Sequence, residues 1–449
     1  MVSTAGLSLE QAPPISIPFR FFLTAPLFGM GAALLLLVHG GDLLYSRWLP
    51  STLGLTHLIT LGFITMVMFG AVMQMLPVLA SSPLPQVRVV GLLVHLLLTI
   101  GTLLLVFAFT LGSDGWMLPA LLALGFGFTL FLTAVTIALL RVKLPSMTII
   151  GMRLAMVALG ITLLLGLLLG VGYAGMMTLP SMLLTDVHLG WGVLGWFGLL
   201  LIAVSYQIVP MFQVTPEYPL RLRERLIGSL LFGLIIWSLI KIGVWGGVLY
   251  EATAQVWLSL PLAGYAAFAL ITLHLQSRRR RRIVDVTLLF WRTGLLFVVA
   301  SLLLWFGAQW FPLIGDSSRY PLLLGEGLLI GGALSFVNGM LYKIVPFLSW
   351  FHLQNHQISL MCMTVSVPNM KELISDQQGK WQFYAHLGGV LLLQPAIFLP
   401  EWFARPAAVL FLISNMLLAI NLLGAVSRYR QTHLALLAAG GSGEDLSFK

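Results

Sequence analysis

The chain has 449 residues, of which 59% are hydrophobic and 9% charged, and a formal net charge of +9. Together with a mean hydropathy of +0.98, this excludes a water-soluble globule, whose charged share is about a quarter, and places the chain in a lipid bilayer. One cysteine, Cys362, excludes a disulfide framework and any Cys-based zinc or iron–sulfur centre, which need several thiolates. The nine histidines are therefore the main candidates for metal ligands.

A hydrocarbon layer ~30 Å thick is crossed by about 20 apolar residues in a helix, and twelve runs qualify. In chain order they are Phe19 to Leu43, Leu53 to Leu79, Val89 to Leu111, Trp116 to Leu140, Thr148 to Tyr173, Val187 to Phe212, Leu226 to Leu249, Val256 to Leu275, Val286 to Phe311, Leu322 to Phe347, Trp381 to Leu399 and Phe403 to Val426. The expected fold is an all-α polytopic membrane protein with 12 transmembrane helices. No cleavable signal peptide is expected, because Pro13, Pro14 and Pro18 precede the first run without a basic region in front.

Loops after even-numbered runs hold Arg88, Arg141, Lys143, Arg221, Arg223, Arg225, the run Arg278 to Arg282, Lys371, Lys380, Arg428 and Arg430. Loops after odd-numbered runs hold Asp42, Asp114, Asp186, Glu251, Asp316 and Glu401, with Arg47, Arg319 and Arg405 as the cations near that side. By the positive-inside rule both termini face the cytoplasm, including a tail over 431–449, as expected in a bacterial inner membrane. The arginine run between two spans reads as a membrane anchor, and no nucleic-acid partner is expected. The longest connection, Trp350 to Lys380, is a candidate partner contact on the cytoplasmic side.

The chain also carries an internal repeat. Three even-numbered runs end in related strings: Met73-Gln74-Met75-Leu76-Pro77, Tyr206-Gln207-Ile208-Val209-Pro210 and Tyr342-Lys343-Ile344-Val345-Pro346. Fifteen residues before each proline stands Gly62, Gly195 or Gly331, and eight residues later a small residue, Gly70, Ala203 or Gly339. Arg20, Arg153 and Arg292 open the preceding runs at nearly the same period. These markers predict three pseudo-repeated four-helix units over 1–145, 146–282 and 283–430, with small residues allowing close helix packing.

Twenty residues of helix span ~30 Å, so His57, twenty before Pro77, lies near the outer surface. His188 stands 22 residues before Pro210 at the same level, Glu326 takes the equivalent place in the third unit, and His39 rises to that depth from the first run. An imidazole in hydrocarbon is costly unless paired or ligated, and neutral imidazole ligates haem iron and copper. His57, His188, His39 and Glu326 are thus the candidate metal group, opposed by the plainer reading of interhelical hydrogen-bonding histidines. His95 and His386 lie toward the cytoplasmic side; His274, His352, His356 and His433 read as solvated residues at cytoplasmic ends. Lys241 and Lys343 sit within spans, where Lys343 is expected to snorkel and Lys241 is a candidate for an ion or proton path.

Three four-helix arcs with histidines near the outer ends of the second and sixth helices resemble subunit I of the haem–copper oxidase superfamily. The string from His57 through Gly62, Gly70 and Gln74 to Pro77 looks like the histidine-bearing helix of those proteins, and Pro18-Phe19-Arg20-Phe21-Phe22-Leu23 is similar to the start of the NnrS family of membrane haem- and copper-containing proteins. The resemblance implies haem b ligation by His57, a copper or second-metal role for His188, and Arg405 as the remaining candidate for holding haem propionates. It also implies a place in nitric oxide response or respiratory redox metabolism, with a diatomic gas such as nitric oxide and an electron-donor or respiratory subunit as partners. The chain departs from the oxidases in having no histidine in its seventh and tenth runs, so a complete oxygen reductase is not expected. The competing expectation is a cofactor-free transporter or respiratory-complex assembly protein, for which Lys241, Glu326 and Lys343 would be the residues to test.

Overall fold

The computed structural model describes residues 13–444 apart from 113 and 282; Arg282 of the arginine run and residues 445–449 of the tail lie outside it. Every regular element among the described residues is helical. Eleven helices are long and apolar enough to cross a membrane: α1 Ser16–Leu44, α2 Pro50–Leu79, α3 Val87–Leu111, α4 Met117–Leu140, α5 Met147–Tyr173, α6 Ser181–Gln213, α7 Leu220–Trp245, α8 Glu251–Ser277, α9 Val286–Trp310, α10 Tyr320–Ser359 and α12, which begins at Pro400 and runs on to Glu444. The eleventh expected run forms a helix too, α11 Asp376–Ala396, but it is not among the eleven because its first half is polar. Outward faces such as that of α3, with Leu92, Leu96, Ile100 and Leu103 exposed, carry the apolar surface that a lipid environment requires.

Consecutive helices pack side by side, and α12 closes the bundle against α1. The closest approach there is at Gly29, where an added Cβ would lie 2.0 Å from Asn415 Oδ1. Helices α2 and α10 lie innermost, burying 72% and 67% of their apolar windows, more than any other span. Helix α11 is polar because it packs inward, not toward lipid. Gln382 donates to Ser414 Oγ at 2.8 Å, and the His386 Nε2 is 2.8 Å from Ser335 Oγ. Buried polar groups so paired cost little.

Helices α2, α6 and α10 share a build absent from the sequence pattern. Each begins as α-helix, passes through a π-helical stretch (Leu58–Thr65, Gly190–Gly198 and Gly327–Leu334), and returns to α-helix. Wider turns of this kind shift the register of the side chains that follow and recur at functional sites. The stretches hold Gly62, Gly195 and Gly331, and each of these glycines is a contact point with the preceding helix. An added Cβ would come within 2.4 Å of Phe28, 3.0 Å of Ala158 and 2.3 Å of Phe297, respectively. One turn-pair further on, the small residues Gly70 and Gly339 meet Phe21 and Phe290 at 2.8 Å, while in α6 the roles reverse and Gly151 of α5 meets Ala203.

Two expectations change. Pro346 does not end its helix: α10 continues to Ser359, since a proline removes only one backbone donor and the following turns bury Leu348, Ser349 and Leu353. The connection to α11 is correspondingly short, with a capped helical turn, Met370–Leu373, inside it. Arg153 serves as a cap, donating through Nη2 to Leu139 O at 2.7 Å and Val142 O at 2.9 Å at the end of α4.

Gly62→Ala and Gly331→Ala should each lower stability by about 1–3 kcal/mol, because a methyl group there overlaps an aromatic ring. Gly228→Ala, where an added Cβ meets nothing within 4 Å, should leave the thermal unfolding midpoint in detergent unchanged or slightly raised. Equal midpoints for all three variants would contradict this packing.

Candidate functional site

His57 ends the first α-helical part of α2, immediately before the π-helical stretch. Its Nδ1 lies 2.8 Å from Leu53 O, one turn back on the same helix, and its ring packs on Phe109 of α3 with centroids 5.5 Å apart. His188 stands at the matching place in α6, two residues before the second π-helical stretch. Its Nδ1 lies 3.1 Å from Thr162 O of α5, and the ring rests on Gly166, where an added Cβ would be 3.0 Å from Cε1. A carbonyl oxygen only accepts, so Nδ1 carries the proton in both rings and Nε2 keeps its lone pair. Both imidazoles are half-buried.

That tautomer suits metal ligation: a ligating histidine generally donates its other ring N–H to a carbonyl or carboxylate, which fixes ring orientation. Among the described residues, no group of three or more His, Cys, Asp or Glu side chains is arranged to hold a metal ion. Two imidazoles alone are too few donors for a structural zinc site. Haem would ask fewer donors of the chain, since the porphyrin supplies most of the nitrogens around the iron.

The other expected members of the group sit apart from this pair. His39 ends the α-helical part of α1, half-buried. Arg405 is its neighbour by way of Gly40: the guanidinium lies 3.5 Å from where a Cβ on Gly40 would be, and Gly40 has φ +57, so a side chain there would be both strained and obstructed. Glu326 ends the first part of α10 just before the third π-helical stretch, and is 7% exposed. One carboxylate oxygen accepts from Gln394 of α11, and Oε1 is buried with no hydrogen-bond partner among the described residues.

Glu326 lies on the wall of a mostly apolar cavity of about 220 Å³ enclosed mainly by α1, α2 and α10, with Asn415 of α12 also on it. Helix α2 contributes Thr52, Thr56 and Ile59 to that wall, with Arg47 and Trp48 near by. Thr185 and Leu189 of α6 also line the cavity, whereas His57 and His188 themselves do not.

Lys241 does not stand alone in a span. Near the end of α7, it pairs with Asp186 at 3.2 Å and Glu251 at 3.0 Å, and Asp186 also meets Arg47 at 3.4 Å. This four-membered chain of alternating charge ties α6, α7 and α8 to the α1–α2 connection. Lys343 reaches Asp285 at 3.6 Å, which agrees with its expected snorkelling to the arginine-rich end. His95 and His386 are satisfied by Thr24 at 2.9 Å and Ser335 at 2.8 Å. His352, His356 and His433 were read as separate solvated residues, yet they meet where α10 and α12 run past the other helices. Their spacing held the signal: His352/His356 and Tyr429/His433 are both i, i+4 pairs, each on one helix face.

Compared with known proteins, the chain matches no family model and no curated sequence.

The Glu326–Gln394 contact yields a stability test. Gln394→Leu leaves a buried carboxyl without a partner and should cost about 1–3 kcal/mol, whereas Gln394→Leu combined with Glu326→Leu should recover most of that loss. Thermal unfolding of the two variants checks it, and an additive double variant would contradict the pairing.

Proposed function

We propose that the chain is an integral membrane haem-binding protein of haem–copper oxidase subunit I-like or NnrS-like type, in which His57 and His188 hold the haem. The observation that carries this reading is the matched pair of Nδ1-to-carbonyl hydrogen bonds, at 2.8 Å to Leu53 O and 3.1 Å to Thr162 O, which leaves the Nε2 lone pair of each ring available. The wider proposal is twelve transmembrane helices in three four-helix units. It is supported by the π-helical stretches that start 19, 20 and 19 residues before Pro77, Pro210 and Pro346 (77 − 58, 210 − 190 and 346 − 327). The placement of lysines and arginines supports cytoplasmic termini in a bacterial inner membrane.

In this reading Leu53 O and Thr162 O fix the tautomer and aim of the two rings, Gly166 leaves room for the second, and Phe109 holds the first in place. When bound, haem would supply an iron able to exchange an electron and to bind a diatomic gas such as nitric oxide, with His57 and His188 as the residues that would hold it. His57 is proposed as the firm ligand, since its hydrogen bond is the shorter and lies within its own helix, and His188 as the exchangeable one. Arg405, packed against Gly40 beside His39, is a cation on the same side of the bundle for a propionate. Copper at His188, and a redox role in nitric oxide or respiratory metabolism with an electron-donor subunit, follow as finer parts of the proposal.

The cavity beside Glu326 favours a second reading, a cofactor-free carrier of a small, largely apolar molecule, because a mostly apolar hollow with a few placed polar groups is what such a ligand needs. One experiment separates the two. Protein purified from native membranes should give a pyridine haemochrome spectrum of haem b; His57→Ala should abolish that spectrum, and His188→Ala should shift the absorption bands of the intact protein. Colourless wild-type protein, or haem content unchanged in His57→Ala, would overturn the haem reading and leave the carrier.

A further inference from the structure

The long ends of α10 and α12 bring three imidazoles together away from His57 and His188. His356 and His433 stand with ring centroids 4.5 Å apart, and His352 lies 6.2 Å from His433. The Tyr429 hydroxyl is 2.8 Å from Nδ1 of His352, and the Tyr429 ring stacks on His433 at an interplanar angle of 11°. Beneath them Leu353, Cys362, Tyr429 and Leu436 form a small buried cluster that joins α10, the connection after it and α12.

This contact suits neutral rings and opposes charged ones. Nδ1 of His356 and Nδ1 of His433 are both buried and without a hydrogen-bond partner among the described residues. A neutral imidazole can leave that nitrogen unprotonated, whereas an imidazolium carries a proton on both nitrogens and would bury an N–H with no acceptor. Charged rings at this separation would also repel one another. The charged side chains on the elements packed there are engaged elsewhere or exposed. Glu372 accepts from Asn369 N of its own helical turn at 2.9 Å, and Lys371 pairs with Asp376 at 3.1 Å. Arg428 donates to Leu373 O at 2.7 Å, Arg20 of α1 turns back to Ser16 O at 3.5 Å, and Arg430 is exposed. The Cys362 thiol lies 3.4 Å from the Thr364 hydroxyl. Among the described residues, no carboxylate forms an ion pair with any of the three rings.

We propose that His352, His356 and His433 form an acid-released clamp: neutral, they let the ends of α10 and α12 close on each other, and protonation drives those ends apart. The clamp is independent of the proposed haem ligands. It is closed above the ordinary imidazole pKa of about 6.5 and released as the pH falls below that value. Amide hydrogen exchange of the full chain in detergent reads the opening directly, because a helix end that separates from its neighbour loses protection. It is measured at about pH 7.5 and about pH 5, on either side of the imidazole value, and corrected for the intrinsic effect of pH on exchange. In wild type, residues 348–359 and 428–437 are expected to become about tenfold less protected at the lower pH, the effect of one pKa unit of interaction, while α4 keeps its protection. His433→Phe, which keeps a ring in the stack, and His356→Gln are expected to fold and to hold the same protection at both pH values, whereas His57→Ala behaves as wild type. Equal protection of wild type at the two pH values, loss at low pH in both 356 and 433 variants as large as in wild type, or a loss shared equally by α4 would each overturn the proposal.

Discussion

The hydrogen bond from an imidazole Nδ1 to a backbone carbonyl is the constraint on which the proposed site depends. In an apolar bundle a neutral histidine has one donor and one acceptor to place, and His57 and His188 both spend the donor on a carbonyl. What remains on each ring is a lone pair on Nε2. The two bonds arise differently. His57 bonds to Leu53 one turn back in its own helix, a local arrangement that needs no tertiary partner. His188 bonds to Thr162 on α5, so its aim depends on the packing of α5 against α6 and on Gly166, which admits the ring.

The inner helices are built to allow this. A π-helical stretch follows the outer end of each, and Gly62, Gly195 and Gly331 within those stretches let the preceding helix come into contact. Glu326 occupies in α10 the place that imidazoles hold in α2 and α6, with a different consequence. Its partner is Gln394 from α11, and the residue lines the mostly apolar cavity beside α2. His57, His188 and Glu326, each just before a π-helical stretch, thus differ in what they meet: the imidazoles bond to backbone carbonyls and the carboxyl lines the cavity.

Much of the architecture was legible in the sequence because hydropathy marks where a chain can cross a membrane, and eleven of the expected runs are helices of that kind. The glycine spacing told which faces approach closely. The π-helical stretches were hidden, since one extra residue in a turn leaves no mark on composition, and they decide which side chain follows His57 around the helix. Gln394 as the partner of Glu326 was hidden too, being 68 residues away on a helix whose polar half faces inward. Lys241 looked isolated because Asp186 and Glu251 lie in other helices and only the folded chain brings them to it. The histidines at the ends of α10 and α12 were passed over because a helix was expected to stop at Pro346. Once it runs to Ser359, His352 and His356 reach α12.

The most direct test of the central claim is electron paramagnetic resonance of the oxidised protein as isolated from its membranes, which reports the axial ligands of haem iron without reference to turnover. Two imidazole ligands predict a low-spin ferric signal that turns high-spin when His188→Ala removes one of them and disappears with the haem in His57→Ala. A low-spin signal unchanged in both variants would show that other residues hold the iron, and no haem signal at all would show that the two rings do not hold haem.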